Sequence, residues 1–381
     1  MKKNDGSQDI NKSFLAEPVL CCGCEACVAR CPFQAIRMEE DAEGFCYPRI
    51  HPEKCTECGA CSKVCPILRQ TLPLIGKQNQ KCYAGYLKDQ AQIKKSASGG
   101  AATAIAACVI KAGGEVYGVT YTNNFRRAEY VKAQCLDDLN NLKGSKYIQS
   151  SKRDLYIDME KSLKKNKIVL MIGLPCEIGA AKAYFGEYEN LLTLELICHG
   201  PTSAKAESQF IDMIERRYHS RVVNFNVRYK KEGWTPPYVL AEFENGKRYE
   251  KPLYKTYFGY AFAVFLRPSC YHCSFKGKNR VADVTIGDFW GDIQKEKYWN
   301  HYGVSAIMVH TEKGKNLIKE LENFALFEVP YDIIRAGNPR LDECETEQKK
   351  RRKFAKILAK YGLKWACIRT CKWKNIWKFL R

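Results

Sequence analysis

The spacing of apolar and polar positions changes several times along the chain. KIVLMIG (167–173) and LLTLELIC (191–198) are short, near-continuous apolar runs, the pattern of strands covered on both faces. Each leads into residues with helical spacing, which predicts helices over 175–184 and 202–218. GEVYGVTY (114–121) and EYVKAQC (129–135) read as strands, and a small-residue helix follows Ser98-Gly99-Gly100. Further strands are expected near 222–229, 237–244, 282–287 and 303–309, with antiparallel hairpin material over 222–250. Strands alternating with helices imply an α/β layer whose sheet is covered on both faces. From Lys349 the period is again helical: Phe354, Ile357, Leu358, Tyr361, Trp365 and Ile368 form one apolar stripe, and Trp373 and Trp377 follow.

The polar connector from Ile67 to Gln80, with Pro73 and Gly76, marks a domain boundary. A length of 381 residues suits two to three domains, and 45% hydrophobic residues supply real cores. No run approaches the ~18 apolar residues of a membrane span. The first residues, MKKNDGSQDINKSF, carry no apolar segment of the signal-peptide kind, so a soluble, cytoplasmic chain is expected.

Charge changes the picture only at one end. The net charge is +20, but residues 349–381 hold thirteen Lys or Arg and no Asp or Glu, leaving +7 (20 minus 13) for the rest. The whole chain is therefore no nucleic-acid binder. The basic stripe is expected to pack on the α/β domain; peripheral attachment to an anionic membrane surface is the alternative.

The cysteines carry the chemistry. Twenty of them, in a chain of this length without an export signal, point to metal ligation or redox work. CCGCEACVARC (21–31) and CTECGACSKVC (55–65), each followed by Pro, both fit C-x2-C-x2-C-x3-C-P, 34 residues apart (Cys21 to Cys55). This is the spacing of a bacterial two-cluster ferredoxin. Three cysteines of each turn face one cube, and the fourth crosses to the other. Cys21, Cys24, Cys27 and Cys65 are thus expected to hold one 4Fe–4S cluster, and Cys55, Cys58, Cys61 and Cys31 the second. Structural zinc fits poorly, because its ligands usually come as two separated pairs. Cys22 is expected to be a packed or incidental thiol, and Cys46 to sit on a hairpin.

Four more cysteines sit at strand ends and in a pair. Cys176 follows KIVLMIGLP, Cys198 ends the next strand before His199-Gly200-Pro201, and Cys270 and Cys273 form a C-x2-C pair. Strand carboxyl ends of an open parallel sheet face the ligand crevice, so Cys176 and Cys198 share an edge. The four are read as a third 4Fe–4S cluster, as zinc ligands, or as unrelated buried thiols. His199 and His272 are expected to pack or hydrogen-bond. Ser98-Gly99-Gly100 and the loop Gly144-Ser145-Lys146-Tyr147 are candidate phosphate or dinucleotide contacts, or an ordinary cap and turn. Gly287, Asp288 and Trp290 are placed just past a strand.

Taken together, the ferredoxin repeat, KSASGG, GSKYIQS, GLPCEI, CHGP, RPSCYHC and ADVTIGDFWG resemble the coenzyme F-420 hydrogenase/dehydrogenase beta-subunit family, which includes plant 7-hydroxymethyl chlorophyll a reductase. The resemblance spans roughly residues 18 to 340. It implies a combined α+β and α/β architecture: a dicluster ferredoxin-like domain (14–70), an α/β flavin-type domain (81–340) and a basic C-terminal helix (345–381). It further implies an FAD-dependent iron–sulfur oxidoreductase, with Cys176, Cys198, Cys270 and Cys273 on a flavin-proximal cluster. Ser98, Gly99, Gly100, Ser145, Lys146 and Tyr147 are the implied FAD contacts. The expected partner is a redox protein or a small electron donor or acceptor.

Overall fold

A computed structural model describes residue 11 and residues 14–69, 81–152, 154–277 and 280–371. Pro73 and Gly76 of the connector, and Trp373 and Trp377, lie outside the described residues.

The N-terminal region is a small α+β unit. Strands β1 (Ile36–Glu40) and β2 (Cys46–Ile50) pair antiparallel with Ile36 opposite Ile50. Those two residues and Leu15 form a minimal apolar core against Cys27, Cys31, Cys55 and Cys61. Two short helices, Ala26–Arg30 and Ala60–Lys63, begin inside the cysteine loops.

The larger region is built on a mixed sheet. Its strands are β3 (Lys81–Leu87), β4 (Glu115–Tyr121), β5 (Ala128–Ala133), β6 (Ser150–Ser151), β7 (Val169–Gly173), β8 (Leu191–Leu196), β12 (Val284–Asp288), β13 (Ser305–Val309) and β14 (Phe324–Glu328). Among the described residues their order is β14-β3-β13-β12-β8-β7-β4-β5-β6. The centre, β12-β8-β7-β4, is parallel, and antiparallel partners flank it on both sides. The sheet is thus mixed where the sequence suggested a parallel one. Strands β3 and β14 were not expected from the sequence, whereas the other long strands fall within a few residues of their predicted places.

Burial follows the apolar runs. Leu170 packs on one face with Ile93, Ile105 and Val109, while Val169 and Met171 pack on the other with Met159 and Ile178. Coverage on both faces is why β7 lacks alternation. Side-chain caps start the covering helices: Asp89 accepts from Ala91 N at 2.8 Å, and Ser203 from Ala206 N at 3.3 Å. A separate antiparallel sheet, β11 (Arg248–Pro252), β10 (Tyr238–Phe243) and β9 (Val222–Tyr229), lies where the hairpin was expected.

The basic stripe does not form one helix. Gly362, with φ 84°, separates the Arg351–Tyr361 helix from the Leu363–Thr370 helix. The turn keeps Phe354, Ile357 and Leu358 buried and adds Leu363, Ala366 and Cys367 to them, but throws Tyr361 and Trp365 into solvent. Their predicted place on the buried stripe is therefore corrected: a glycine outside the helical region resets the period.

Candidate iron–sulfur and cofactor site

Backbone shape brings the eight repeat cysteines together. In both loops the third and fifth residues have left-handed backbones: Gly23 and Glu25 in the first, Glu57 and Gly59 in the second. This winding gathers the thiols around two separate cavities. Cys21, Cys24, Cys27 and Cys65 line one, and Cys31, Cys55, Cys58 and Cys61 line the other. Each cavity thus takes three thiols from one repeat and one from the opposite repeat, the division expected from the spacing. Among the described residues no three His, Cys, Asp or Glu side chains converge at single-ion distance; the quartets surround wider spaces. Two amides point at sulfur near the second cavity, Ala35 N to Cys31 Sγ (3.3 Å) and Glu57 N to Cys55 Sγ (3.4 Å).

The first loop is fastened to the α/β region. Arg267 donates to Cys21 O (2.7 Å), Gln149 Oε1 (2.6 Å) and Cys46 O (3.0 Å), with its guanidinium 4.2 Å from the Tyr47 ring centre. Tyr156 donates to Cys24 O at 2.8 Å, and Gln149 Nε2 to Gly23 O at 3.2 Å. Lys152 donates from Nζ to Gly23 O (3.3 Å) and pairs with Glu177 at 2.8 Å. Burial opposes the Lys152 charge, but the Glu177 and Glu25 carboxylates more than offset it and raise its pKa.

A third cavity, of about 190 Å³, is lined by Cys176, Cys198, Cys270 and Cys273, with His199 and His272 on its wall. The sheet explains the meeting. Strands β7 and β8 are parallel neighbours, so Cys176 and Cys198 lie beyond the same edge. Pro175 starts the Pro175–Phe185 helix, and Glu177 accepts Leu174 N at 2.9 Å, fixing the turn that carries Cys176. Gly200 has φ 121°, and a Cβ there would stand 3.0 Å from the Cys270 sulfur. Burial pushes the Cys198 thiol up to about 11 and raises Cys270 and Cys273 as well. His199 stacks edge-on against Phe262 and lies 3.4 Å from Glu345. Burial lowers its pKa, against the pull of that carboxylate.

Cys22, expected to be a packed or incidental thiol, packs against the neighbouring core and also lines this third cavity. The Cys176 and Cys24 thiols beside it lower its pKa and favour its thiolate. Cys22 thus spans from the first cysteine quartet to the third. Its one clue in the sequence was adjacency to Cys21.

The implied cofactor contacts gather at the same strand edge. Ser98 donates to Val304 O at 2.7 Å, and a Cβ on Gly99 would stand 2.4 Å from Gly85 O and 2.5 Å from Ser305 N. Glycine there is explained by close backbone packing. Gly100 (φ 88°) then opens the Ala101–Lys111 helix. In the second segment, Tyr147 stacks on Phe262 at 4.2 Å. Lys146 donates to Asn141 O, Leu142 O and Lys143 O, and burial lowers its pKa to about 7. Ser145 lies between Gly144, at φ 78°, and Lys146.

Arg228, absent from the sequence reading, joins the two segments. It donates to Ala97 O (3.0 Å) and Asp288 Oδ1 (2.9 Å), and Tyr147 beside it favours its charge. Burial opposes its charge, and Asp288 holds it. Gly287 and Asp288 are the last residues of β12 rather than beyond it, and Trp234 Nε1 also donates to Asp288 at 3.1 Å. Trp290 stacks on Trp234 with ring centres 4.8 Å apart.

Comparisons with known proteins agree with this layout. The family of the coenzyme F420 hydrogenase/dehydrogenase beta-subunit carboxyl terminus matches residues 166–330, and the "4Fe-4S dicluster domain" matches residues 20–67. The F subunit of the F(420)H(2) dehydrogenase of Methanosarcina mazei is 22% identical over 309 residues, 78% of this chain and 80% of that one. The B subunit of the Na(+)-translocating ferredoxin:NAD(+) oxidoreductase complex of Acetobacterium woodii is 46% identical over 52 residues, 14% of each chain. In fold, the chain is similar to one in the xenon-derivatised F420-reducing [NiFe] hydrogenase complex from Methanosarcina barkeri, with TM-score 0.50, 18% identity, and coverage of 72% of this chain and 92% of that one. Among the described residues no helix is long and apolar enough to cross a membrane. Residues 166–330 thus match the coenzyme F420 hydrogenase/dehydrogenase beta-subunit carboxyl-terminal family, and a 4Fe–4S dicluster domain precedes them near the N-terminal end.

Proposed function

We propose that this chain is the flavin-dependent iron–sulfur oxidoreductase subunit of a larger redox assembly. Cys31, Cys55, Cys58 and Cys61 would hold an outer 4Fe–4S cluster, and Cys21, Cys24, Cys27 and Cys65 an inner one. Cys176, Cys198, Cys270 and Cys273 would hold a third. FAD would lie at the strand edge carrying Ser98, Gly99, Gly100, Ser145, Lys146 and Tyr147. Clusters supply one-electron storage, and flavin joins it to two-electron chemistry with a second substrate.

The observation that carries the reading is that Cys22 lines both the first-quartet cavity and the third cavity, which sets the two side by side. The chain's own residues make that arrangement rigid: Arg267, Tyr156 and Lys152 hold the carbonyls of the first loop. Arg228, fixed by Asp288, offers a permanent cation to an anionic cofactor at the neighbouring edge. At the far side Cys58 is exposed, and Phe33 beside it is 49% exposed. That side suits docking of a redox partner.

Anaerobic reconstitution tests the proposal. About twelve irons per chain, from three cubes of four, with bound flavin are expected. About eight irons with no flavin would instead make the chain a non-catalytic carrier that docks to a partner enzyme. Zinc as the sole bound metal would end the redox reading.

A further inference from the structure

The C-terminal helices carry more positive charge than their packing explains. Lys349, Arg352, Lys353, Lys356 and Arg369 line a groove of about 760 Å³ with Ile357. Among the described residues, the groove cation with a carboxylate within 4 Å is Arg352, 3.9 Å from Glu347. The cations also crowd the wrong end of their helix. Lys350, Arg351, Arg352 and Lys353 begin the Arg351–Tyr361 helix, whose first turn has no acid. A helix N-terminus carries partial positive charge, so cations there repel it. Arg352 and Lys356, and Lys356 and Lys360, are like charges one turn apart. An external anion would relieve all of these repulsions at once.

The aromatics put outside by the turn at Gly362 border this groove. Tyr361 is 50% exposed and Trp365 48%. Arg369, a groove residue, lies 5.4 Å from the Tyr361 ring centre and 5.5 Å from that of Trp365. Lys360 lies 5.1 Å from the Tyr361 ring. The result is one continuous patch of cations and half-exposed aromatic rings. It is also a fixed patch. Phe354 packs on Phe265 (5.1 Å), Arg351 pairs with Glu43 (2.6 Å), and Leu363 N donates to Gln209 Oε1 (2.7 Å).

The geometry points to a membrane-docking surface: the helical pair meets the anionic headgroups of a bilayer through its groove cations and seats Tyr361 and Trp365 at headgroup level. Tyrosine and tryptophan favour that depth because their rings are apolar and their tips polar. Lysine and arginine clusters beside such rings are the usual second signal for anionic leaflets. A fixed, folded patch loses little conformational freedom on docking. The chain thereby becomes a peripheral protein that brings its redox centres to a membrane without crossing it.

Co-sedimentation of the full-length protein with vesicles tests this. Phosphatidylcholine vesicles containing about 30% phosphatidylglycerol should bind it, pure phosphatidylcholine vesicles should not, and added salt should release it. Lys353→Glu with Lys356→Glu should weaken binding by on the order of tenfold or more, and Tyr361→Ser with Trp365→Ser by a similar factor. All four residues are exposed, so thermal unfolding should be unchanged and serves as the folding control. Inorganic phosphate at matched ionic strength should not compete. Equal binding to both vesicle types, unchanged binding by either double variant, displacement by free phosphate, or stronger binding to duplex DNA than to the anionic vesicles would each overturn the proposal.

Discussion

Position for position, the two cysteine loops bend alike, yet they live in different surroundings. The third residue is left-handed in both (Gly23, φ 67°; Glu57, φ 54°), and so is the fifth (Glu25, φ 64°; Gly59, φ 69°). Each loop spends one glycine and one glutamate on those positions, in opposite order. Around the first loop, the α/β region supplies Arg267, Gln149, Lys152 and Tyr156 to its carbonyls. The second loop is held by its own neighbours: Ser62 Oγ donates to Gly59 O at 2.8 Å, and Cys61 Sγ lies 4.0 Å from Phe14 O. The difference teaches that one duplicated motif has been divided into an interior half and a surface half. The winding of the cysteine loops was kept, and the contacts around them diverged.

The largest expected effect comes from cutting the inner fastening. Arg267 is 1% exposed, and its guanidinium serves Cys21, Gln149 and Cys46 at once. Arg267→Ala leaves buried carbonyls without a donor and a void beneath Tyr47. A loss of about 3–5 kcal/mol is expected, the range for opening a buried charged network. Arg267→Lys should recover little, because an ammonium cannot copy the planar fork. Phe33→Ala, on the exposed side of the second loop, should stay within about 0.5 kcal/mol. Denaturant unfolding of anaerobic protein measures all three, and equal losses at Arg267 and Phe33 would erase the distinction between the halves.

Glycine substitutions sharpen the same contrast. A Cβ on Gly23 would stand 2.1 Å from Gln149 Nε2 and 3.0 Å from the Arg267 guanidinium carbon; on Gly59 the nearest atom is Ser62 Oγ at 3.8 Å. Both alanines carry the left-handed penalty of about 1–2 kcal/mol. Only Gly23→Ala adds a clash, so it should be the worse by about 1–3 kcal/mol. Thermal midpoints of the two variants give the comparison directly.

The same division decides what could be read from the chain. Both repeat quartets were legible because their cysteines are close in sequence and spacing alone gathers them around two cavities. Cys176 and Cys198 were legible because KIVLMIG and LLTLELIC are unmistakable buried strands, and parallel neighbours bring their ends together. Arg267, Arg228 and the role of Cys22 were not. Each acts through partners far away in sequence, as Arg267 does with Cys21, and such contacts leave no period to detect. Strand β3 has a weak signal in the sequence: it follows a polar connector, and Ala84 and Gly85 dilute its pattern. The helical period after Lys349 runs unbroken through Gly362 in the sequence, whereas the backbone conformation there ends the helix.

Iron loss is the next test in size. Cys58 is exposed, whereas Cys24 is buried beneath the Tyr156 contact. A chelator or oxygen therefore reaches the second cavity first. Loss should be biphasic, with the second-cavity iron leaving severalfold faster, because local access sets such rates. Spectroscopy on Cys58→Ser protein assigns the phases: the fast one should disappear. A single phase in the unaltered protein would mean that the outer loop is as protected as the inner.

The smallest effect concerns the two glutamates. A non-glycine residue in the left-handed region carries about 1–2 kcal/mol of strain, and glycine removes it. Glu57 is exposed, and its amide bond to Cys55 Sγ is backbone, so Glu57→Gly keeps that bond and sheds the strain. Glycine's extra freedom in the unfolded chain offsets about 0.5–1 kcal/mol of the gain. The net should be a stabilisation below about 1 kcal/mol. Glu25 sheds the same strain, but its carboxylate accepts Lys152 N at 3.1 Å and helps hold the Lys152 charge. Losing a charge-assisted bond there removes about 1.5–3 kcal/mol. Glu25→Gly should therefore destabilise while Glu57→Gly stabilises: one substitution at equivalent left-handed turns, with opposite signs. If both moved the unfolding midpoint upward, the carboxylate of Glu25 would have no part in binding the first loop to the α/β region.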